Sequence, residues 1–120
     1  MKQKHNTTNE LTKQILEYLF REGAFVWRNN SLPVPITVNG RVVGYRPGSK
    51  SGVPDIVGCY KGRWLGIEVK TSKDRLSDVQ RAFIANMKRV GGLVYVAHDF
   101  ESFVEWFEQT KKTLENKSLK

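Results

Sequence analysis

The chain has a single cysteine, Cys59, among its 120 residues. No disulfide can therefore close within it, which fits a reducing compartment, and a lone thiol of this kind reads as a small strand residue. No apolar run approaches the roughly 18 residues that a membrane-spanning helix needs. The lysines of Met1-Lys2-Gln3-Lys4-His5-Asn6 are followed by no apolar stretch, so the start does not read as a signal peptide. Acids are also scarce: 12 Asp and Glu stand against 20 Lys and Arg, a formal charge of +8. Such an excess of cations favours a polyanionic partner, because each phosphate neutralised releases condensed counterions.

The shortage of acids is sharpest between Arg41 and Arg75. Eight basic residues (Arg41, Arg46, Lys50, Lys61, Arg63, Lys70, Lys73, Arg75) share that segment with three acids, Asp55, Glu68 and Asp74. Where those few acids sit is therefore informative.

What the chain does have is a moderate apolar content and aromatic residues along its whole length, which predicts a folded globule. Its length suits one domain over 1–120, with an ordered core from about 8 to 110, a hairpin insertion at 31–47 and a basic tail at 111–120. Leu11, Ile15, Tyr18 and Leu19 share a helical face and Gly23 is a natural stop, so a helix is predicted over about 8–22. Ala24–Trp27 reads as a short strand. Asn39-Gly40, between Ile36–Val38 and Arg41–Val43, is the strongest short hairpin signal, since both turn positions need positive φ. Arg46–Gly52 is a loop rich in breakers and cations.

Two strands follow, Val53–Tyr60 and Arg63–Lys70, around Lys61-Gly62. Leu76, Val79, Phe83, Met87 and Val90 then mark one face of a helix over 76–90, ended by Gly91-Gly92. The continuous apolar run Leu93–Ala97 suits a strand buried on both sides. Asp99 is placed to cap a last helix carrying Phe103, Val104, Trp106 and Phe107. The order is helix, strand, hairpin, two strands, helix, strand, helix, which predicts an α/β architecture: a mixed β-sheet flanked by helices.

Within Leu65-Gly66-Ile67-Glu68-Val69-Lys70 the side chains alternate between faces. Leu65, Ile67 and Val69 are expected in the core; Glu68 and Lys70 share the other face with Gly66, which leaves space beside them. If the hairpin turns on Lys61-Gly62, Tyr60 faces Arg63 and Asp55 faces Glu68. Opposed residues lie with Cβ atoms about 5 Å apart, where two like charges destabilise each other unless a cation sits between them. A hard divalent metal is the natural cation for carboxylate and carbonyl oxygens. A shift of one residue in register would move Asp55 to the other face, so the turn carries this inference. Pro54 fits a strand start, where no ladder hydrogen bond is required. The plain alternative is that both acids are surface residues paired with nearby Lys or Arg.

Ser51-Gly52-Val53-Pro54-Asp55-Ile56, then Gly66-Ile67-Glu68-Val69-Lys70, then Asp74-Arg75-Leu76-Ser77-Asp78-Val79-Gln80 together resemble the PD-(D/E)XK nuclease superfamily. Within it they resemble the VRR-NUC (virus-type replication–repair nuclease) group, in its small stand-alone phage form. The likeness is strongest over residues 51–97. It implies a restriction-endonuclease-like mixed sheet and a divalent cation, Mg2+ or Mn2+, held by Asp55, Glu68 and the backbone carbonyl of Val69. It implies that Lys70 orients or activates the attacking water and helps to neutralise the phosphate.

The resemblance also implies that Glu10 on the first helix points at the metal, often through water, and that Gln80 acts at the start of the second long helix. Each has a local alternative as the last residue of a capping box, Thr7-X-X-Glu10 and Ser77-X-X-Gln80. Arg46, Lys50, Ser51, Lys73 and Arg75 flank the site on loops and are expected to contact DNA phosphates. His5 and His98 read as residues that could touch DNA without being catalytic. Trp27, Trp64 and Trp106 read as packing residues before base-stacking platforms, Trp64 being the one that alternates onto the Glu68 face.

The expected function is a metal-dependent, structure-selective DNA endonuclease that hydrolyses phosphodiesters at branched DNA such as four-way (Holliday) junctions. By resemblance it works as a homodimer, without a membrane, in the cytoplasm of a phage's bacterial host. The rival readings are a nuclease of the same superfamily acting on flaps, ends or duplex DNA, and a non-catalytic nucleic-acid-binding module.

Overall fold

The computed structural model describes residues 7–29, 33–46, 48, 51–73 and 75–118. Helix α1 (Thr8–Arg21) starts from a complete capping box: the Thr7 hydroxyl accepts from the Glu10 N–H and the Glu10 carboxylate accepts from the Thr7 N–H. Its apolar stripe buries Leu11, Ile15 and Leu19. The helix stops where Gly23 takes φ +85°, with Ala24 N–H donating to Leu19 O and Gly23 N–H to Phe20 O, a Schellman closure. Strand β1 (Phe25–Arg28) begins one residue later than the sequence pattern suggests.

Strands β2 (Val34–Val38) and β3 (Arg41–Arg46) form a separate two-stranded hairpin turning on Asn39 and Gly40 at φ 52° and 78°. Both signs match the turn that Asn-Gly favours. The second hairpin, β4 (Ile56–Tyr60) to β5 (Arg63–Val69), turns in the same way on Lys61 and Gly62, at φ 47° and 79°. Tyr60 pairs with Arg63 and Ile56 with Ile67, the register expected of a Lys61-Gly62 turn.

Helix α2 (Asp78–Arg89), strand β6 (Leu93–Ala97) and helix α3 (Phe100–Ser118) complete the described chain. The four-stranded sheet has the order β1-β4-β5-β6, antiparallel except for the β5–β6 pair, with α2 as the crossover between those two strands. This is the mixed sheet flanked by helices that the sequence predicts. One face packs on α1 and α3, where Leu65, Ile67 and Val69 meet Leu11, Ile15, Phe103 and Phe107. The other face packs on α2 through Ile84, Met87 and Val94. Burying such side chains contributes roughly 1.5–3 kcal/mol each. No helix among the described residues is long and apolar enough to cross a membrane.

Helix α2 begins at Asp78, not Leu76, β5 ends at Val69, not Lys70, and the structure departs from the sequence pattern in four further places. Strand β4 begins at Ile56, not Val53, because Pro54 has no N–H for the ladder and Asn29 N–H draws the Asp55 carbonyl (2.7 Å) towards the β1 side. The space beside Gly66 is filled: a Cβ there would stand 3.1 Å from Pro54 Cγ and 3.2 Å from Met87 Cε, so the glycine admits α2. On α2 itself, Val79 and Val90 are exposed while Ile84 joins Met87 in the core, because the helix lies over the β6 side of the sheet and leaves the β1 side open. Finally, residues 111–118 continue α3 instead of forming a loose tail. Lys111 bridges Glu22 (2.6 Å) and Glu108 (3.0 Å), and Leu114 packs on the main core.

Candidate active site

At the end of the β4–β5 hairpin remote from its turn, the chain bends at Asp55 just before β4 starts. The ladder ends at the Ile56–Ile67 pair, so Asp55 is not a rung opposite Glu68. Its side chain takes the place of a rung: Asp55 Oδ2 accepts the Val69 N–H at 2.8 Å. Within a strand the N–H and C=O of one residue point to the same side, so the Val69 carbonyl also faces the Asp55 side of β5. Pro54, with no N–H, cannot supply it with a ladder donor.

Glu68 lies on the α2 face and is only 3% exposed, more deeply buried than an open sheet face would leave it. Its Oε2 has no hydrogen-bond partner among the described residues. Burial first, and then the adjacent Asp55 carboxyl, push the Glu68 carboxyl up to about 8 against the opposing Lys70 ammonium. Lys70 is half-buried and its backbone is clamped on both sides: its N–H donates to Ala97 O (2.9 Å) and its carbonyl lies 2.8 Å from His98 Nδ1. Asp55, Glu68, Val69 and Lys70 thus converge, by way of a proline-terminated ladder, a buried strand and its parallel neighbour.

The other sequence candidates lie around this centre with different neighbours. A contact between the hydroxyls of Thr8 and Thr71 (2.6 Å) sets the first turn of α1 beside the end of β5. Glu10 on that turn is exposed and its carboxylate closes the helix cap. Among the described residues no three His, Cys, Asp or Glu gather where they could hold a metal ion, so Glu10 does not join Asp55 and Glu68 directly. Gln80 Oε1 accepts the Ser77 N–H at 2.8 Å, completing the cap of α2. The turn at Ser51-Gly52 packs on that same first turn: Gly52 has φ +85°, and a Cβ there would be 2.7 Å from Val79 O. Ser51, Lys73 and Arg75 are exposed, as is Arg46 at the end of β3; Lys50 lies outside the described residues. Two neighbours escaped the sequence reading. Asn29 N–H holds the Asp55 carbonyl, and His98 holds the backbone of Lys70. The second was accessible in principle, since His98 directly follows the strand that runs parallel to β5.

A hard divalent ion fits these residues. The buried, unpartnered Glu68 Oε2 is a costly group that a cation would satisfy, and the Asp55 carboxylate beside it is of the same chemical type. Two carboxylates and a carbonyl suit Mg2+, which keeps several waters and binds through one or two protein carboxylates.

The fold and the site first define a class: a mixed-sheet domain in which an Asp before one strand and a Glu-X-Lys on the next meet at one end. The model of one family, the VRR-NUC domain, matches residues 37–100, just over half of the chain. The chain belongs to the VRR-NUC family, a branch of the PD-(D/E)XK nucleases, and the domain marks it as a phosphodiester-hydrolysing nuclease with DNA as substrate. Nucleases of this family generally use a divalent metal. The matched span contains Asp55, Glu68, Val69, Lys70 and Gln80, whereas Glu10 precedes it. No curated protein matches the chain.

Proposed function

We propose that the protein is a structure-selective DNA endonuclease, dependent on Mg2+ or Mn2+, that cuts branched DNA such as four-way junctions. The observation that carries its catalytic part is the buried Glu68 carboxyl, one oxygen unpartnered, beside an Asp55 whose own oxygen is tied to Val69 N–H. Asp55, Glu68 and the Val69 carbonyl would hold the ion, and Glu10 on the first turn of α1 would assist. When bound, the ion supplies Lewis-acid stabilisation of charge on the phosphate and makes water a usable nucleophile near neutral pH. Lys70 orients the attacking water and neutralises the phosphate, its backbone held by Ala97 and His98 so that the ammonium returns to one position. Gln80 presents its amide to the substrate from the start of α2, where a helix N-terminus favours an anion. Arg46, Lys50, Ser51, Lys73 and Arg75 contact phosphates around the cut.

Symmetric cutting of a junction requires two sites related by a two-fold axis, which an isologous homodimer supplies. The β2–β3 hairpin supports that reading. It exposes Val38, Val42, Val43 and Tyr45, and a two-stranded hairpin alone is marginal in water. Val38→Asp combined with Val42→Asp should shift the protein from dimer to monomer in sedimentation, with the α-helical signal retained; an unchanged mass would reject the hairpin as the contact. The cytoplasm of a phage's host suits a chain whose one cysteine, Cys59, is free and exposed.

A labelled panel of four-way junction, flap and duplex, incubated with magnesium, manganese or chelator, tests the substrate. The junction should be cut fastest, with metal only. Preferential cutting of flaps or ends would make the protein a nuclease of the same family with another target, and binding without cutting would make it a non-catalytic DNA-binding module.

A further inference from the structure

We propose that the open half of the sheet face beside the carboxylates, between Trp27 and Trp64, receives an unpaired nucleobase of the DNA being cut. This inference rests on the nuclease reading and adds to it the means by which structure is selected.

The strand registers bring the two indoles to the active-site face. Trp27 pairs with Val57, Val57 with Gly66, and Cys59 with Trp64, so both tryptophans share a face with Gly66 and, by alternation, with Glu68. Helix α2 covers only part of that face. The rest is a cavity of about 560 Å³ lined by Trp27, Val57, Trp64, Phe83, Asn86 and Arg89. Trp27 is 48% and Trp64 55% exposed, whereas Trp106, the third tryptophan, stacks on Tyr95 with centroids 4.8 Å apart. Trp27 meets Phe25, itself exposed, edge to face at 5.9 Å, and both Trp27 and Trp64 keep about half of their surface free.

The lining has the chemistry of a base site. Indole faces and an apolar floor accept a flat π-system, the Asn86 amide can meet its polar edge, and the Arg89 guanidinium complements the phosphate attached to it. Along β5 the groove is separated from Glu68 by Gly66, over which Met87 and Pro54 pack. Trp64 lies four residues before Glu68 on one strand, about 13 Å away. That is within reach of a base a few nucleotides from the scissile phosphate. A base in an intact duplex must be unstacked and unpaired to enter, at a cost of about a few kcal/mol that is least for a base already unpaired at a branch. A requirement for a free base near the cut would direct cleavage to branches without any reading of sequence.

The test measures binding by the full-length protein in chelator, where no cutting occurs. Three labelled DNAs are compared: a branched DNA with unpaired bases at the branch, the same DNA with abasic sites at those positions, and a duplex of equal length. Trp27→Ala and Trp64→Ala should each weaken binding of the first DNA roughly tenfold or more and leave the duplex unchanged. The abasic DNA should reproduce that loss with the wild type, and Trp64→Phe should recover most of the affinity. Both positions are about half exposed, so the variants should melt as the wild type does; if an alanine variant misfolds, the abasic DNA and Trp64→Phe still decide. Equal binding of base-containing and abasic DNA by the wild type would overturn the proposal. So would a monomer shift in the tryptophan variants with base-dependent binding intact, since the groove would then serve a second copy of the chain. Failure of the nuclease reading looks different: the wild type would cut none of these DNAs with magnesium or manganese.

Discussion

Glu68→Gln should make the metal-free protein more stable at pH 8, by roughly 4 to 5 kcal/mol, while abolishing cleavage. The folded state holds the Glu68 carboxyl near 8, mainly through burial, against about 4.3 in an unfolded chain. Between those two values the folded protein keeps a proton that the unfolded chain releases. The stability that this group contributes is therefore fullest below about pH 4.3, falls as pH rises towards 8, and levels off above it. Glutamine has no proton to lose, so the variant should match the wild type near pH 4.5 and lack that slope. A few kcal/mol is a large share of the 5–15 kcal/mol typical of a domain, so urea melts in chelator at pH 5 and pH 8 would resolve it. Equal slopes in the two proteins would contradict the buried-carboxyl account. The metal should reverse the order: an excess of manganese stabilises the wild type by mass action, about 2.7 kcal/mol at one hundred times the dissociation constant, and leaves the glutamine variant unmoved. On the proposed reading, a residue that is unfavourable for folding in isolation is the one that holds the ion.

Lys70→Ala should reduce cleavage by about a thousandfold with little change in stability, because it removes the charge that acts on Glu68 while the backbone hydrogen bonds that hold the strand end remain. Lys70→Arg should recover only a small part of the loss, since a planar guanidinium differs in shape and proton affinity from a compact ammonium. Single-turnover cleavage with saturating enzyme separates this from weakened DNA binding. Wild-type rates in the alanine variant would remove Lys70 from the chemistry.

Much of this arrangement is legible in the sequence because local rules decide it. Asn39-Gly40 and Lys61-Gly62 each fix a turn with positive φ at both positions, and the second turn sets which residues of β4 and β5 meet. The alternation of Leu65, Ile67 and Val69 gives the core face of β5. Asp99 caps α3 by accepting the Ser102 N–H at 2.8 Å, as its position before an apolar periodic run suggests. What was not legible depends on tertiary contact. Periodicity gives α2 an apolar face but not its lateral position, so it cannot tell that Met87 fills the space over Gly66 or that Val79, Val90, Trp27 and Trp64 stay exposed. The burial of Glu68 follows from the same docking. The helix over 111–118 is hidden in a cationic stretch because its support comes from Glu22, 89 residues away in the chain, and from Leu114 against the core. The capping boxes at Glu10 and Gln80 form as local pattern predicts, and a local pattern carries no information on whether those side chains also serve the substrate.

The central claim is that Asp55, Glu68 and Lys70 form a metal-dependent nuclease site, and Asp55→Asn tests it most directly. The amide keeps the size of the side chain and an oxygen for the Val69 N–H, yet removes the charge that the ion needs. The measurement is cleavage of labelled branched DNA in magnesium by wild type and variant, with DNA affinity determined in parallel. The account predicts cutting by the wild type, its loss in chelator, and none by the variant at unchanged affinity. Cutting by Asp55→Asn at the wild-type rate would contradict it.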